Sequence, residues 1–226
     1  RDELTSGSTW HAAGLLPLFN MSYATSHIHD YSVKFYKKLE KELNTDIGFK
    51  VVGNLRMAQT QDRMDEFMLY SSTADTVNIP YEWKNPKQIK DRWPLVYSED
   101  LKGAIYHPTD GYINPADLTQ AIARSARSND VKIERKTQAD SFYWDGKSWH
   151  VQCSKMFEKG GNLLVSQEKI TYIAEQVVTA TGNHVQNTSK LINTKIAAIP
   201  VEHQYIVTEE DPKLIEYRKN NDEHPV

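Results

Sequence analysis

The chain has 226 residues, 39% of them hydrophobic, 25% charged and 10% aromatic, with a formal net charge of −3, which is the profile of a soluble globular chain long enough for one large domain or two small ones. The slight acidic excess gives a nucleic-acid surface no electrostatic support, and the longest apolar run, residues 12–19, is far short of the about 20 residues of a membrane-spanning helix. The one cysteine, Cys153, excludes an internal disulfide and a multi-cysteine metal site, and it fits a reducing, cytoplasmic location.

Residues 1–14 are rich in Gly, Ser and Thr and read as a loop. Ile28, Tyr31, Phe35, Leu39 and Leu43 fall three or four apart and predict an amphipathic helix over 25–43, stopped by Gly48. Residues 49–59 read as extended chain with a turn at Gly53-Asn54. A short helix over 62–70 follows, with Met64, Phe67 and Met68 on one side. Asn85-Pro86 opens a helix that ends before Pro94. Residues 103–113 are extended around a Thr109-Asp110-Gly111 turn. Asn114-Pro115-Ala116-Asp117 is the best helix start in the chain, and Leu118, Ile122 and Ala126 are its expected buried stripe. The rest is strand-rich: 131–135, 141–144, 148–154, 170–173, 176–181 and 198–208, with hairpin turns at Asp145-Gly146 and Gly160-Gly161. This order argues for an α/β or α+β layered fold. The start at Arg1 inside a run of turn formers, and an end at 220–226 that closes no element, read as a piece of a longer protein.

Three stretches carry chemistry-bearing or close-approach residues. Thr5-Ser6-Gly7-Ser8-Thr9-Trp10-His11-Ala12-Ala13-Gly14 joins small residues to hydroxyls and N–H groups able to cradle phosphate, although a surface loop is the commoner origin of such a composition. Val177-Val178-Thr179-Ala180-Thr181-Gly182 reads as a buried strand ending where a cofactor or another backbone comes close, or as a plain strand-end turn. A strand over 201–207 puts His203, Tyr205 and Val207 on one face, lining a pocket or packing as a half-buried pair. His27-x-His29-Asp30 has metal-ligand residue types, but i and i+2 point apart on a helix, so no metal is expected. Cys153 reads as a buried structural thiol and the aromatics at 142–149 as hairpin packing. Gly-x-Gly-x-x-Gly is absent from the chain.

Together these stretches resemble one family. The run from Asp2 to Gly14 is similar to the dimethylglycine and sarcosine dehydrogenases, which belong to the D-amino-acid-oxidase-like flavoproteins. Val52-Gly53-Asn54-Leu55-Arg56-Met57-Ala58, Tyr106-His107-Pro108-Thr109-Asp110-Gly111-Tyr112-Ile113-Asn114-Pro115, Val178-Thr179-Ala180-Thr181-Gly182 and Ile199-Pro200-Val201-Glu202-His203-Gln204-Tyr205 follow in the same order. The resemblance implies a partial FAD-binding Rossmann-like domain over 1–47 and 114–196, interleaved with a partial antiparallel-sheet substrate domain over 48–113 and 197–226. It also implies a strand, a Gly-x-Gly-x-x-Gly turn, a helix and an acid-ended strand ahead of Arg1, with further chain after Val226.

By the same resemblance Ser6, Ser8 and Thr9 lie along the FAD phosphates and ribityl chain. His11 matches the histidine joined covalently to the flavin ring methyl, and Ala12, Ala13 and Gly14 pass close to the isoalloxazine. Ala139 stands where a backbone holds the adenine; Ala180, Thr181 and Gly182 make the second FAD contact; His203 matches the active-site histidine. Asn183-His184 departs from the aromatic residue usual in relatives, and Tyr112 stands where some carry His. The implied activity is oxidation of a small N-methyl amine by hydride transfer to the flavin, with His203 accepting or orienting the amine proton, an electron acceptor left open, and tetrahydrofolate use in a longer protein. The alternatives are a related oxidase that uses O₂ and a non-catalytic nucleotide-binding fragment.

Overall fold

The computed structural model describes residues 2–18 and 22–221. Arg1 and the tail 222–226, on which part of the terminal reading above rests, lie outside them, as does Phe19 of the apolar run. Two compact units share the chain: a larger one, Ala12–Ser125 with Thr208–Val226, and a smaller one, Arg1–His11 with Ala126–Val207. Among the described residues no helix is long and apolar enough to cross a membrane.

The larger unit begins with β1 (Leu15–Leu16) and helix α1 (Tyr23–Leu43), whose first turn is capped by the Ser22 side chain. The helix is the one its periodicity predicts, but its buried face is turned. Val33 and Leu39 are buried, with Tyr36 and Leu43 packed beside them, whereas Ile28 and Tyr31 are 64% and 71% exposed. Buried Ser26 shares the inner face. The inner face thus lies about a quarter turn round the axis from the predicted stripe. Local spacing sees two adjoining apolar stripes and cannot say which of them meets the core.

Strands β2 (Lys50–Val51) and β3 (Asn54–Ala58) flank the predicted Gly53 turn. Helix α2 (Gln61–Thr76) is longer than the 62–70 expected. Phe67 is buried and Met64 half-buried, but Met68 is 51% exposed; Tyr70, Ser71 and Ala74 complete the inner face. After β4 (Glu82–Lys84), helix α3 (Pro86–Arg92) opens on a full capping box, Asn85 and Gln88 each bonding the other's backbone N–H at 2.9 Å. Strands β5 (Gly103–His107) and β6 (Gly111–Tyr112) lead into α4 (Pro115–Ser128), where Asn114 Oδ1 accepts from the N–H groups of Ala116 and Asp117 at 3.0 and 3.2 Å. In α4 the expected stripe is corrected. Ala121 and Ala123 are the buried residues, Leu118 packs at the core's margin and Ile122 is 38% exposed. Ala121 joins the cluster of Leu39, Ile47 and Ile113, with Leu118 packed against it.

Two antiparallel sheets result, ordered β1-β6-β2 and β3-β5-β4. Leu18, Val33, Ala58, Phe67, Ala74, Ile79 and Ile105 form the main core. Leu39, Ile47, Ile113 and Ala121 form a second cluster, and Ile89, Trp93 and Ala104 a third.

The smaller unit is built on an antiparallel meander of β7 (Thr137–Trp144), β8 (Trp149–Lys159) and β9 (Asn162–Ala174). The predicted hairpin turns hold: Asp145 Oδ1 accepts from the N–H groups of Lys147 and Ser148, and Gly160 and Gly161 both take positive φ. Trp144 and Trp149 pack across the first hairpin at 5.4 Å, and Cys153 is buried, which pushes its thiol pKa up. A 3₁₀ turn (Gly182–His184) and α5 (Val185–Leu191) follow; α6 (Pro212–Arg218) belongs to the larger unit.

Three expected strands do not form. Residues 131–135, 176–181 and 198–208 find no ladder partner among the described residues. Val178, Val201 and Ile206 are 88%, 88% and 89% exposed. A strand exists only through its neighbour's hydrogen bonds, and a run of β-branched residues does not supply one.

Candidate functional site

In the smaller unit, residues 3–11 wind through successive turns: Ser6 N donates to Glu3 O, Trp10 N to Gly7 O and His11 N to Ser8 O. The run is anchored at its start, where Lys136 N donates to Asp2 O at 3.5 Å and the Glu3 carboxylate meets Arg135 at 2.7 Å and Lys136 at 3.6 Å. Its middle is tied to the second glycine motif, where Asn183 Nδ2 donates to Ser8 Oγ. Ser6, Ser8 and the tract Ala180-Thr181-Gly182, which stand 175 residues apart at the Ser8–Asn183 bond, therefore lie side by side.

The surface so formed is mainly backbone and hydroxyl. A Cβ on Gly7 or on Gly182 would meet no atom within 4 Å, so open space lies beside both. Residues 180–182 are exposed and unpaired in any sheet among the described residues, which leaves their amides available. The Thr181 hydroxyl is already engaged, 2.7 Å from that of Thr188, which in turn donates to His184 O at 3.2 Å. Thr181 thus fixes the turn rather than offering a free hydroxyl. Thr9 is half-buried; Ser6, Ser8 and His11 are exposed, with His11 Nδ1 3.4 Å from Gly7 O. Such a surface can offer hydroxyls and backbone amides to a polyoxygenated ligand.

Ala139 is half-buried on β7 opposite Cys153, at a register shift between Ala139 and Ser141. His203 sits in the exposed, unpaired segment over 199–208, so the shared strand face expected for His203, Tyr205 and Val207 is not built. Ala12 and Ala13 are exposed in the larger unit. Gly14 there has φ +76° and its O accepts from Ile113 N at 2.9 Å; a Cβ would stand 2.1 Å from Ile113 O. Glycine is demanded at 14 by the backbone of the larger unit itself. His29 Nδ1 lies 2.9 Å from Pro17 O and His27 stacks edge-on to Tyr23, so that pair is engaged in packing.

Sequence reasoning took Thr109-Asp110-Gly111 as a turn and missed what it fastens. Asp110 is fully buried; its Oδ1 accepts from Leu18 N at 3.0 Å and its O from Gly53 N at 2.8 Å. Asp110 Oδ2 and Thr109 Oγ1 find no hydrogen-bond partner among the described residues. Burial pushes the Asp110 carboxyl up to about 6 against the pull of the Leu18 N–H and of Arg56. His107, also fully buried, donates from Nδ1 to Pro80 O at 3.2 Å; burial, reinforced by Arg56, lowers its pKa to about 4. No local pattern marks these two, because only the surrounding core makes them buried.

Comparison with known proteins shows the family to which the chain belongs. The family model described as FAD dependent oxidoreductase (DAO) matches residues 1–225. Dimethylglycine dehydrogenase, mitochondrial, of Rattus norvegicus is 33% identical over 95% of this chain and 24% of its own length. The 4-methylaminobutanoate oxidase (formaldehyde-forming) of Paenarthrobacter nicotinovorans is 27% identical over 95% of this chain and 25% of its own. The chain thus spans about a quarter of the length of these two relatives. Among solved structures, glycine oxidase from Geobacillus kaustophilus superposes with a TM-score of 0.70 at 21% identity, over 88% of this chain and 52% of that one, which shows the fold.

Proposed function

The chain belongs to the DAO family of FAD-dependent oxidoreductases, and from that premise we propose that it serves the oxidation of a small N-methyl amine of the dimethylglycine or sarcosine class. The bond between Asn183 and Ser8 supports the cofactor part of this reading, because it holds two distant glycine-bearing tracts together with open space at Gly7 and Gly182; the amine class rests on the likeness to the dimethylglycine dehydrogenase. In it Ser6, Ser8 and Thr9 bind the phosphates and ribityl oxygens, and Ala180, Thr181 and Gly182 contribute backbone from the other side. Ala139 holds the adenine through its backbone, and Ala12, Ala13 and Gly14 pass the ring. Residues 1–47 and 114–196 then act as the cofactor domain and 48–113 and 197–226 as the substrate domain. FAD, when bound, supplies the two-electron acceptor for the C–H bond of the amine.

The protein's own task is to deliver that amine neutral and oriented. A free alkylammonium, like lysine, has a pKa of roughly 10, and burial lowers it by disfavouring the charge. Imidazole is the side chain suited to take or hold the released proton near neutrality, and His203 is assigned that role. The exposed imidazole of His11 is assigned the covalent link to the flavin. The mitochondrial location in the rat relative's name makes a matrix location the expectation for a eukaryotic source.

The test is anaerobic addition of dimethylglycine or sarcosine to the FAD-loaded full-length protein, with loss of the oxidised-flavin absorbance expected. His203→Ala should keep the flavin and slow that loss about a hundredfold; an unchanged rate across pH removes the role. Failure to bind FAD overturns the whole reading, and bound FAD unreduced by any N-methyl amine overturns the substrate class. Complete release of flavin on acid precipitation rules out the bond to His11. Oxygen uptake, rather than dye reduction alone, would favour an O₂-using oxidase, which the name of the Paenarthrobacter relative supports. Tetrahydrofolate is tested as the acceptor of the released one-carbon unit through its effect on formaldehyde yield.

A further inference from the structure

One polar cluster in the smaller unit has no part in the chemistry above. Asp140 on β7, Ser154 on β8 and Lys169 on β9 meet across all three strands of the meander. Ser154 is fully buried, and its hydroxyl donates to Asp140 Oδ2. Lys169 Nζ reaches the same Oδ2 at 2.8 Å and donates also to Ser154 Oγ. Gln138 Nε2 donates to Asp140 Oδ1 at 3.4 Å. Burial raises the carboxyl's pKa, but these bonds outweigh it, with that from Lys169 foremost, and the carboxyl is held below its ordinary range. The buried Ser154 hydroxyl thus finds its partners in a carboxylate and an ammonium, where an unpaired hydroxyl would be costly.

The cluster sits where the sheet is irregular. The β7–β8 register slips between Ala139 and Ser141, so Asp140 is the extra residue of a β-bulge. The β8–β9 register slips just beyond Ser154, which stands opposite Lys169. Bulges re-aim the backbone of a strand, and this one lies on β7, an outer strand of the sheet, where alternate backbone groups face away from the ladder. The strand's approach is also where the phosphate-side loop is anchored, through Asp2 and Glu3 on Arg135 and Lys136. A ligand running along residues 6–11 therefore has the β7 edge at the end of the loop where residues 2–3 are tied.

We infer that Asp140 is a positioning residue for the adenine end of FAD: clamped by Ser154 and Lys169, it fixes the bulge that sets the backbone of Ala139 along the β7 edge. This inference rests on the FAD reading above. Asp140 acts through the backbone and touches no reacting atom.

The experiment is done on full-length apoprotein, with ADP as the probe of the adenine end, riboflavin as the probe of the ring end, and FAD itself. Asp140→Ala and Lys169→Met should each weaken ADP and FAD binding about tenfold or more, equivalent to about 1.4 kcal/mol, while riboflavin affinity stays within twofold. Lys169→Arg, which keeps the cation, should restore most of the ADP affinity. Ser154→Ala, in which the Lys169–Asp140 pair survives, should show a smaller loss of the same selectivity and serves if Asp140→Ala fails to fold. Wild-type ADP affinity in the variants overturns the inference, as does an equal loss for ADP and riboflavin, which marks a merely structural role. A wild-type protein that binds neither FAD nor ADP overturns the FAD reading itself, and the inference with it.

Discussion

Asp110 and His107 sit at opposite ends of one buried turn, and the core acts on them with opposite sign. The Asp110 carboxyl is raised to about 6 from 3.8, so its contribution to stability is fully present below 3.8 and is lost as pH rises through 6. His107 is lowered to about 4 from 6.5, so its contribution is fully present above 6.5 and is lost as pH falls towards 4. Each shift is worth up to about 3 kcal/mol, and the two nearly cancel between pH 4 and 6.5. Asp110→Asn should therefore make the melting temperature fall more steeply on acidification, and His107→Gln less steeply, than in the unaltered chain; equal slopes would refute the argument. Gly14 makes a second prediction at this scale. A Cβ there meets Ile113 O at 2.1 Å with φ at +76°, so Gly14→Ala should cost about 2 kcal/mol or more in denaturant unfolding. Neither effect could be read locally: Asp110-Gly111 announces a turn and Gly14 a close approach, and only the packed fold reveals that Asp110 is buried and that Gly14 faces the carbonyl of Ile113.

At the scale of elements, caps were legible and faces were not. Asn85 and Asn114 mark their helix starts because the capping bond is made within three residues. Asn85→Ala should thus cost about 1 kcal/mol, visible as a matching loss in chemical denaturation. The inner face of α1 depends on what lies opposite it. Val33→Ala should destabilise by about 2 kcal/mol and Ile28→Ala by less than about 0.5 kcal/mol, since Val33 is 6% exposed and Ile28 64%. The reverse order would restore the stripe expected from spacing. The meander β7-β8-β9 was partly visible through its hairpin turns, which are local. The segments 131–135, 176–181 and 198–208 have the composition of strands without a partner, and composition is the only part of a strand that a local reading sees.

Over the whole molecule, Ser6, Ser8 and Thr9 share the smaller unit with Ala180-Thr181-Gly182, while Ala12, Ala13 and Gly14 belong to the larger. The chain crosses between units inside its longest glycine-bearing motif, a division that no change in composition signals. The same scale carries an exposure prediction. Val178, Ile199, Val201, Ile206 and Val207 are each more than 80% exposed on unpaired backbone, a template for strand pairing between copies. The 226-residue chain by itself should self-associate in sedimentation as concentration rises, and Val201→Lys with Ile206→Lys should suppress this. Concentration-independent sedimentation would remove that expectation.

What the sequence determined by itself was whatever a few adjacent residues decide: the caps at Asn85 and Asn114, the turns at Asp145-Gly146 and Gly160-Gly161, the existence of α1, and the family, through runs such as Asp2 to Gly14. Only the tertiary structure decided that Asn183 bonds Ser8 across 175 positions, that Val33 rather than Ile28 faces the core, that Asp110 and His107 are buried, and that Asp140, Ser154 and Lys169 meet at a bulge. The physical reason is common to all four. Capping and turn formation are energies of neighbouring atoms along the chain, whereas burial, close approach and strand pairing are energies between segments, fixed only when the chain has chosen which of its surfaces to bring together.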